Sequence, residues 1–132
     1  MGSRGVMGAS GRILLADDEA DLRCVLVKRL ESWGYAVVAA ADGLEALRLA
    51  LAEPPDLLLL DIMMPGLNGV DAARQLKRAP ATARVPIIFI TAKGKPLTPK
   101  DAEALGVYAI VYKPYETDDL RRLIQAAIGS ST

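Results

Sequence analysis

The chain has 132 residues, 52% of them hydrophobic and 24% charged, and its 16 basic residues balance 16 acidic ones. This length suits one domain with a single core, and a neutral chain without a basic run gives no electrostatic case for binding nucleic acid or an anionic membrane surface. There is no histidine and one cysteine, Cys24. The composition therefore excludes histidine-based catalysis, an internal disulfide and the usual zinc ligand sets, and we expect a cytoplasmic protein.

Five short apolar segments alternate with five segments of helical periodicity. Residues 1–11 are rich in Gly and Ser, and we interpret them as a disordered leader or an expression-vector remnant. The predicted strands are Arg12–Ala16, Tyr35–Ala40, Leu57–Leu60, Val85–Ile90 and Val107–Tyr112. The third, a run of four leucines ending on Asp61, is typical of a strand buried on both faces of a parallel sheet.

Capping residues mark the helices between these strands. Asp42 with Glu45 three residues later is typical of a capping box. The predicted N-caps are Asp42, Asn68, Thr98 and Thr117. Gly34 is predicted to end the first helix, and Gly106 a short fourth helix over Pro99 to Leu105.

Apolar spacing predicts which side of each helix faces the core. The predicted stripes are Leu22, Val25, Leu26, Leu30 and Trp33 in the first helix; Leu44, Leu47 and Leu51 in the second; Val70, Ala73 and Leu76 in the third; and Leu120, Leu123, Ile124, Ala127 and Ile128 in the last. Cys24 lies within the first of these patterns. We therefore predict that it packs in the core.

Five alternations of strand and helix predict an α/β fold with a parallel sheet covered by helices on both faces. For five strands in a doubly wound sheet we expect the flavodoxin-like order 2-1-3-4-5. The predicted domain covers residues 12–128, followed by a tail over 129–132.

Polar side chains follow the carboxyl ends of four predicted strands. They are Asp17 and Asp18, Asp61, Thr91, and Lys113. Ligands of open α/β sheets bind at this edge. Two carboxylates about 4 Å apart repel by roughly 4 kcal/mol at an effective dielectric near 20. Three carboxylates in one cleft would therefore become protonated or bind a cation. Mg²⁺ suits such a site, because it prefers oxygen ligands and often binds beside a phosphoryl group. A carboxylate beside Mg²⁺, a lysine and a hydroxyl can accept a phosphoryl group as an aspartyl phosphate.

Four motifs together resemble the receiver domain of two-component response regulators. They are Asp17-Asp18-Glu19, the segment from Asp61 to Gly69, Thr91-Ala92 and Lys113-Pro114, and the resemblance extends from about Arg12 to Ile128. It implies that Asp61 is the phosphoacceptor. It also implies Mg²⁺ as cofactor, with Mn²⁺ able to substitute. Asp61 and Asp18 would bind the metal directly, Asp17 directly or through water, and Met63 through its backbone carbonyl.

The resemblance also implies roles around the phosphoryl group. Lys113 would contact the phosphoryl oxygens, Thr91 would donate its hydroxyl and move when phosphate arrives, and the peptide bond between Lys113 and Pro114 would be cis. Met63 and Lys93 stand two residues after the phosphoacceptor and the threonine. We expect their side chains to influence the rate of dephosphorylation.

Two departures from the family pattern concern the response to phosphorylation. The family usually has an aromatic residue three positions before the lysine, where this chain has Ile110. By strand alternation Tyr108 and Tyr112 share its face, so either a tyrosine substitutes or the switch lacks a rotating ring. The fourth helix, predicted to start only at Pro99, also begins late, which alters a surface that usually meets a partner.

As a member of this family the chain would be a phosphorelay signalling module rather than a turnover enzyme. It would take phosphate from the phosphohistidine of a sensor histidine kinase or phosphotransfer protein, and it would catalyse its own dephosphorylation. Its downstream partner would be another protein or an output domain, and a dimer through the fourth helix, fifth strand and fifth helix is one option. We expect neither nucleic acid nor membrane as a partner.

Three alternatives remain at the level of sequence. A degenerate receiver would bind proteins without phosphorylation. A phosphohydrolase of the haloacid-dehalogenase type would want a second acid two residues after the nucleophile, where this chain has Met63. A flavin or nucleotide binder would want a glycine-rich loop after the first strand, and Asp17-Asp18-Glu19 stands there instead.

Overall fold

The computed structural model of the chain describes residues 11–92 and 97–130. Residues 1–10 of the predicted leader and the loop residues 93–96, Lys93 among them, lie outside the described residues. The strands are β1 (Arg12–Ala16), β2 (Ala36–Ala40), β3 (Leu57–Asp61), β4 (Ile87–Ala92) and β5 (Ala109–Lys113). The helices are α1 (Ala20–Ser32), α2 (Gly43–Ala52), α3 (Gly69–Arg78), α4 (Pro99–Leu105) and α5 (Thr117–Ser130).

The five strands form one parallel sheet in the order β2-β1-β3-β4-β5, which confirms the predicted fold and topology. All five residues of β3 are buried. This strand lies between β1 and β4, and its alternating leucines enter two different hydrophobic clusters, Leu58 and Leu60 in one, Leu57 and Leu59 in the other. The leucine run is therefore a strand covered on both faces, as predicted.

Each face of the sheet carries its own hydrophobic core. On one face α2, α3 and α4 pack through small and aliphatic residues, namely Ala46, Ala50, Val70, Ala73, Leu76 and Leu105. On the other face α1 and α5 pack through Leu26, Leu30, Leu120, Ile124 and Ala127. The inward stripes predicted for the third and last helices are confirmed. In the ranges 11–92 and 97–130, no helix is both long and apolar enough to cross a membrane.

Three of the four predicted N-caps are confirmed. The side chains of Asp42, Asn68 and Thr98 each accept the backbone N–H three residues later, at 2.8, 2.9 and 3.0 Å. The fourth prediction is wrong, because Thr117 is the first residue of α5 rather than its cap. Its hydroxyl instead accepts a hydrogen bond from Arg29 Nη1 at 3.1 Å.

Several predicted boundaries shift by one or two residues. Strand β4 begins two residues later than predicted, after Pro86, which has no N–H to donate to the ladder. Strand β5 begins after Tyr108, and α5 reaches Ser130, two residues into the predicted tail. At the other end, Gly11 is buried and its carbonyl accepts the Ala36 N–H at 2.9 Å, so it belongs to the folded part. The short helix over Pro99–Leu105 is confirmed.

The inward face predicted for the first helix is partly wrong. Leu26 and Leu30 are buried, but Leu22 and Val25 are 46% and 54% exposed. Cys24 is exposed rather than packed in the core. Because successive helical residues are 100° apart, the turn that directs Leu26 and Leu30 to the sheet directs Cys24 away from it.

The inward face predicted for the second helix is also partly wrong, although Leu47 packs against the core as predicted. Leu44 and Leu51 are 66% and 44% exposed, and Gly43, Ala46 and Ala50 face the core instead. The reason is close approach, because a Cβ atom added to Gly43 would lie 1.9 Å from a carbonyl oxygen of the β3–α3 loop. Small side chains therefore fill the closest contacts of this helix, Leu47 and Leu49 are partly buried against the core, and Leu44 and Leu51 turn outward.

Candidate functional site

Three carboxylates meet at the carboxyl edge of the sheet. Asp17 and Asp18 directly follow β1, and Asp61 ends the adjacent strand β3. One oxygen of each lies within 4.8 Å of the others. Asp17 and Asp61 are 6% and 8% exposed, whereas Asp18 is open to solvent. The parallel topology thus brings together the acids that the sequence separates by more than forty positions.

The backbone beyond β3 holds the Asp61 side chain in place. Its Oδ1 accepts the Met63 N–H at 3.1 Å, and the Ile62 carbonyl accepts the Gly69 N–H at 2.9 Å. A Cβ atom added to Gly69 would lie 2.1 Å from the Asp61 carbonyl oxygen. The start of α3 therefore presses against the backbone of Asp61, and this approach requires glycine.

Lys113, at the end of β5, supplies the positive charge of the site. Its Nζ lies 3.2 Å from Asp61 Oδ2 and 3.7 Å from Asp17 Oδ2. Burial alone would lower the pKa of Lys113, but the charges of Asp61 and Asp17 outweigh it and the pKa lies above its usual value. The side chain is therefore an ammonium group at neutral pH.

The charge of Lys113 does not fully offset the effect of burial on the pKa of Asp61. Burial raises the pKa of Asp61 above its usual value, although the Met63 N–H and Lys113 oppose the shift, and the nearby charge of Asp17 adds to it. The carboxylate form would thus be favoured by a further cation. The donors are hard oxygens, which fits Mg²⁺, and the chain has no histidine to suit softer metals.

A hydroxyl group completes the cleft. Thr91 lies near the end of β4, is 1% exposed, and its Oγ1 has no hydrogen-bond partner in the part of the chain that the structure describes. It lines, with Asp61, Met63 and Lys113, a cleft of about 280 Å³. An unsatisfied buried hydroxyl costs about 1–3 kcal/mol, so an acceptor oxygen entering the cleft would gain a ready donor.

The strand register places the remaining predicted residues. Ile110 pairs with Phe89, and Tyr112 pairs with Thr91. Ile110 is half-buried, while Tyr108 and Tyr112 are 41% and 43% exposed. The residue at the threonine's side is therefore an exposed tyrosine.

Two structural features near the site were not predicted from the sequence. The bond between Lys113 and Pro114 is cis, as the resemblance implied, but the contacts made by Gly43 and Gly69 were not foreseen. The Asn68-Gly69 pair gave a signal for a helix start, and Asp42-Gly43 gave one for a capping box. Neither signal shows that a backbone carbonyl lies where a Cβ atom would be.

The sequence profile of the response regulator receiver domain matches residues 13–125. The chain belongs to this family. Receiver domains are signalling modules of two-component systems, which act together with histidine kinases or phosphotransfer proteins.

Relatives of this receiver domain include both short proteins and longer regulators. It is 35% identical to Protein PilH of Pseudomonas aeruginosa over 118 residues, covering 89% of this chain and 98% of that protein. It is 39% identical to a probable transcriptional regulator, ycf27 of Guillardia theta, over 117 residues, covering 89% of this chain and 45% of that protein. The chain thus spans less than half of the longer relative.

The chain also resembles a solved receiver-domain structure over almost its full length. The receiver domain of the sensor histidine kinase PA1611 from Pseudomonas aeruginosa superposes with a TM-score of 0.82 at 33% identity, covering 92% of this chain and 99% of that one. That crystal structure has a magnesium ion coordinated in its active-site cleft.

Proposed function

We propose that this receiver domain is a phosphorylation-dependent cytoplasmic switch that accepts a phosphoryl group on Asp61. The donor would be the phosphohistidine of a sensor histidine kinase or phosphotransfer protein. The observation that supports the proposal is the convergence on one cleft of three carboxylates, Lys113 and the Thr91 hydroxyl, which has no hydrogen-bond partner among the described residues. The same residues would support its slower self-dephosphorylation.

We propose a role for each side chain from its position in the cleft. An Asp61 carboxylate oxygen attacks phosphorus, and the bond from phosphorus to the donor nitrogen breaks, with the electron pair leaving on the imidazole. Lys113, already 3.2 Å from Asp61 Oδ2, is placed to contact the phosphoryl oxygens. Thr91 donates its buried hydroxyl to one of them, which satisfies the group that has no partner among the described residues.

Asp17, Asp18 and Asp61 would hold Mg²⁺, or Mn²⁺ in its place, with the Met63 carbonyl as a further ligand. The bound ion would neutralise negative charge on the transferring oxygens. The Glu19 N–H donates to Asp17 Oδ1 at 2.9 Å, which orients this carboxylate and supports its proposed role. The exposed Met63 side chain stands at the same cleft, where we propose that it affects how water reaches the phosphoryl group.

We propose that the signal leaves the site through Thr91 and β5. A threonine drawn toward phosphate would vacate space on the face of β5 that carries Tyr112, its register partner, and Ile110 two residues before it. Tyr112 would then be the ring that responds, and the surface of α4, β5 and α5 would change with it. That surface, with Tyr108 and Tyr112 exposed, is our candidate contact for a downstream protein, an output domain or a second copy of the chain.

The proposal is tested by intact mass after incubation with acetyl phosphate, with Mg²⁺ and with EDTA. We expect a Mg²⁺-dependent gain of one phosphoryl group in the native chain and none in Asp61→Asn. Asp118→Asn is the matched control, because it removes an exposed carboxylate from the first turn of α5, and it should gain the group normally.

The same mass measurement can also contradict the proposal. A folded native chain that gains no phosphoryl group under any of these conditions would contradict the switch. The chain would then be a degenerate receiver that binds proteins without phosphorylation.

A further inference from the structure

Arg23 extends from α1 back to the loop that carries two of the three acids. Residues 17–19 join β1 to α1. The Arg23 backbone N–H donates to the Glu19 carbonyl at 2.9 Å, and its guanidinium Nη1 donates to the Asp17 carbonyl at 2.6 Å. The side chain is half-buried. One residue therefore contacts both ends of this short loop.

The Asp17 carbonyl lies at the point where the sheet ends. The Asp17 N–H still continues the sheet, because it donates to the Ala40 carbonyl at 3.1 Å. In the part of the chain that the structure describes, no backbone N–H donates to the Asp17 carbonyl, and Asp17 is 6% exposed. A buried carbonyl needs a donor, and a charged donor forms a stronger bond than a neutral one. The guanidinium of Arg23 thus takes the place of a neighbouring strand.

This hydrogen bond holds the peptide group between Asp17 and Asp18. Because a peptide group is planar, fixing its carbonyl oxygen also sets the direction in which the Asp18 backbone continues. The exposed Asp18 carboxylate has no hydrogen-bond or ion-pair partner within residues 11–92 and 97–130. Its position therefore depends on the backbone that Arg23 holds, whereas the Asp17 carboxylate is also oriented by the Glu19 N–H.

The charge of Arg23, acting alone, would have the opposite effect on a bound cation. A guanidinium near three carboxylates repels a cation, so removing the charge would strengthen cation binding. Removing a hydrogen bond that orients the ligands would instead weaken cation binding by about 10–100-fold. The direction of the change in affinity therefore separates positioning from repulsion.

We infer that Arg23 is a positioning residue for a divalent cation, which holds Asp17 and Asp18 through the peptide group between them. Arg23 is not among the residues that line the cleft beside Thr91, so it acts through Asp17 and not by contact with the ion. The inference rests on the proposed function, because Mg²⁺ at these acids is part of that proposal.

The test is a titration of the full chain with Mn²⁺ in the absence of a phosphodonor, in which electron paramagnetic resonance counts the free ion, followed by displacement with Mg²⁺. We expect Arg23→Met to weaken binding of both ions about tenfold or more, because it keeps the length of the side chain but removes the donor. Arg23→Lys keeps a charged donor and should bind with an affinity between those of Arg23→Met and the native chain. Lys28→Met is the matched control, because it removes an exposed charge from the same helix and should leave the affinity unchanged.

The order of the affinities decides the outcome. Thermal midpoints in EDTA show that each variant is folded, and phosphorylation of Arg23→Met by acetyl phosphate should approach the native extent at saturating Mg²⁺. The inference is overturned if Arg23→Met binds the ions as tightly as the native chain or more tightly, if Arg23→Lys binds no better than Arg23→Met, or if the native chain binds neither ion. A native chain that binds Mg²⁺ but gains no phosphoryl group would contradict the proposed function alone, and weaker binding by Arg23→Met would then still support the positioning role.

Discussion

Gly69→Ala probes the contact that holds the phosphoacceptor loop. The added Cβ atom would lie 2.1 Å from the Asp61 carbonyl oxygen, below the 3.0 Å that real Cβ atoms keep, so the backbone must move by almost 1 Å. Overpacking of this kind costs about 1–3 kcal/mol, and weakening the Gly69 N–H bond to the Ile62 carbonyl adds about 1 kcal/mol. At roughly 4 °C per kcal/mol for a domain of this size, the thermal midpoint falls by about 8–16 °C.

The same substitution should slow phosphorylation, because Asp61 itself moves. A misplacement of about 1 Å can cost on the order of 100-fold in rate, which single-turnover labelling with acetyl phosphate measures. Gly129→Ala is the matched control. Its Cβ atom meets nothing within 4 Å, so it should leave the rate unchanged and stabilise α5 by up to about 0.5–1 kcal/mol. A Gly69→Ala protein with native midpoint and rate would refute this reasoning.

Three further substitutions test the energetics of the site and its surroundings. In EDTA at pH 7, Asp61→Asn should raise the urea midpoint, because burial raises the pKa of Asp61 in the folded state and the ionised group therefore destabilises the fold. This advantage should shrink as the pH falls through the raised pKa toward the ordinary value, since the native carboxyl then becomes neutral; an advantage that grows on acidification would contradict it. Leu76→Ala should lower the free energy of unfolding by about 2–5 kcal/mol, because this side chain is fully buried; a loss under about 1 kcal/mol in urea titration would argue against the packing of α3. Arg74→Ala removes exposed ion pairs with Asp71 and Asp101 and should lower the free energy of unfolding by less than about 1 kcal/mol. The difference should disappear in about 1 M salt. A larger loss that does not depend on salt would contradict the view that these are weak surface ion pairs.

Much of the fold was predictable because its signals are local. The leucine run of β3, the glycines and prolines between segments, and the caps Asp42, Asn68 and Thr98 each act over a few residues. Alternation of strand and helix then fixes a parallel sheet. Because parallel strands share a carboxyl edge, the sequence also predicted that Asp61 and Lys113 would meet.

The inward face of α2 was not predictable from hydrophobicity. Leu44 and Leu51 look like core residues, yet the helix lies so close to the β3–α3 loop that Gly43 and Ala46 face inward instead. Such an approach depends on the distance between elements, which periodicity does not contain. The contact of Gly69 with the Asp61 carbonyl has the same origin.

The first helix shows a second limit. Periodicity placed Leu22 and Val25 in the core, and the structure leaves them about half exposed beside an apolar cleft. A sequence pattern shows that a face is apolar. It does not show whether another part of the chain covers that face.

The central claim is that Asp61 carries the phosphoryl group. Its most direct test is borohydride reduction of the acetyl-phosphate-treated protein, followed by peptide mass mapping, because reduction converts an aspartyl phosphate to homoserine. The account predicts homoserine at position 61, formed only when Mg²⁺ is present. Homoserine at position 17 or 18, or at no position in a folded and metal-loaded protein, would contradict it.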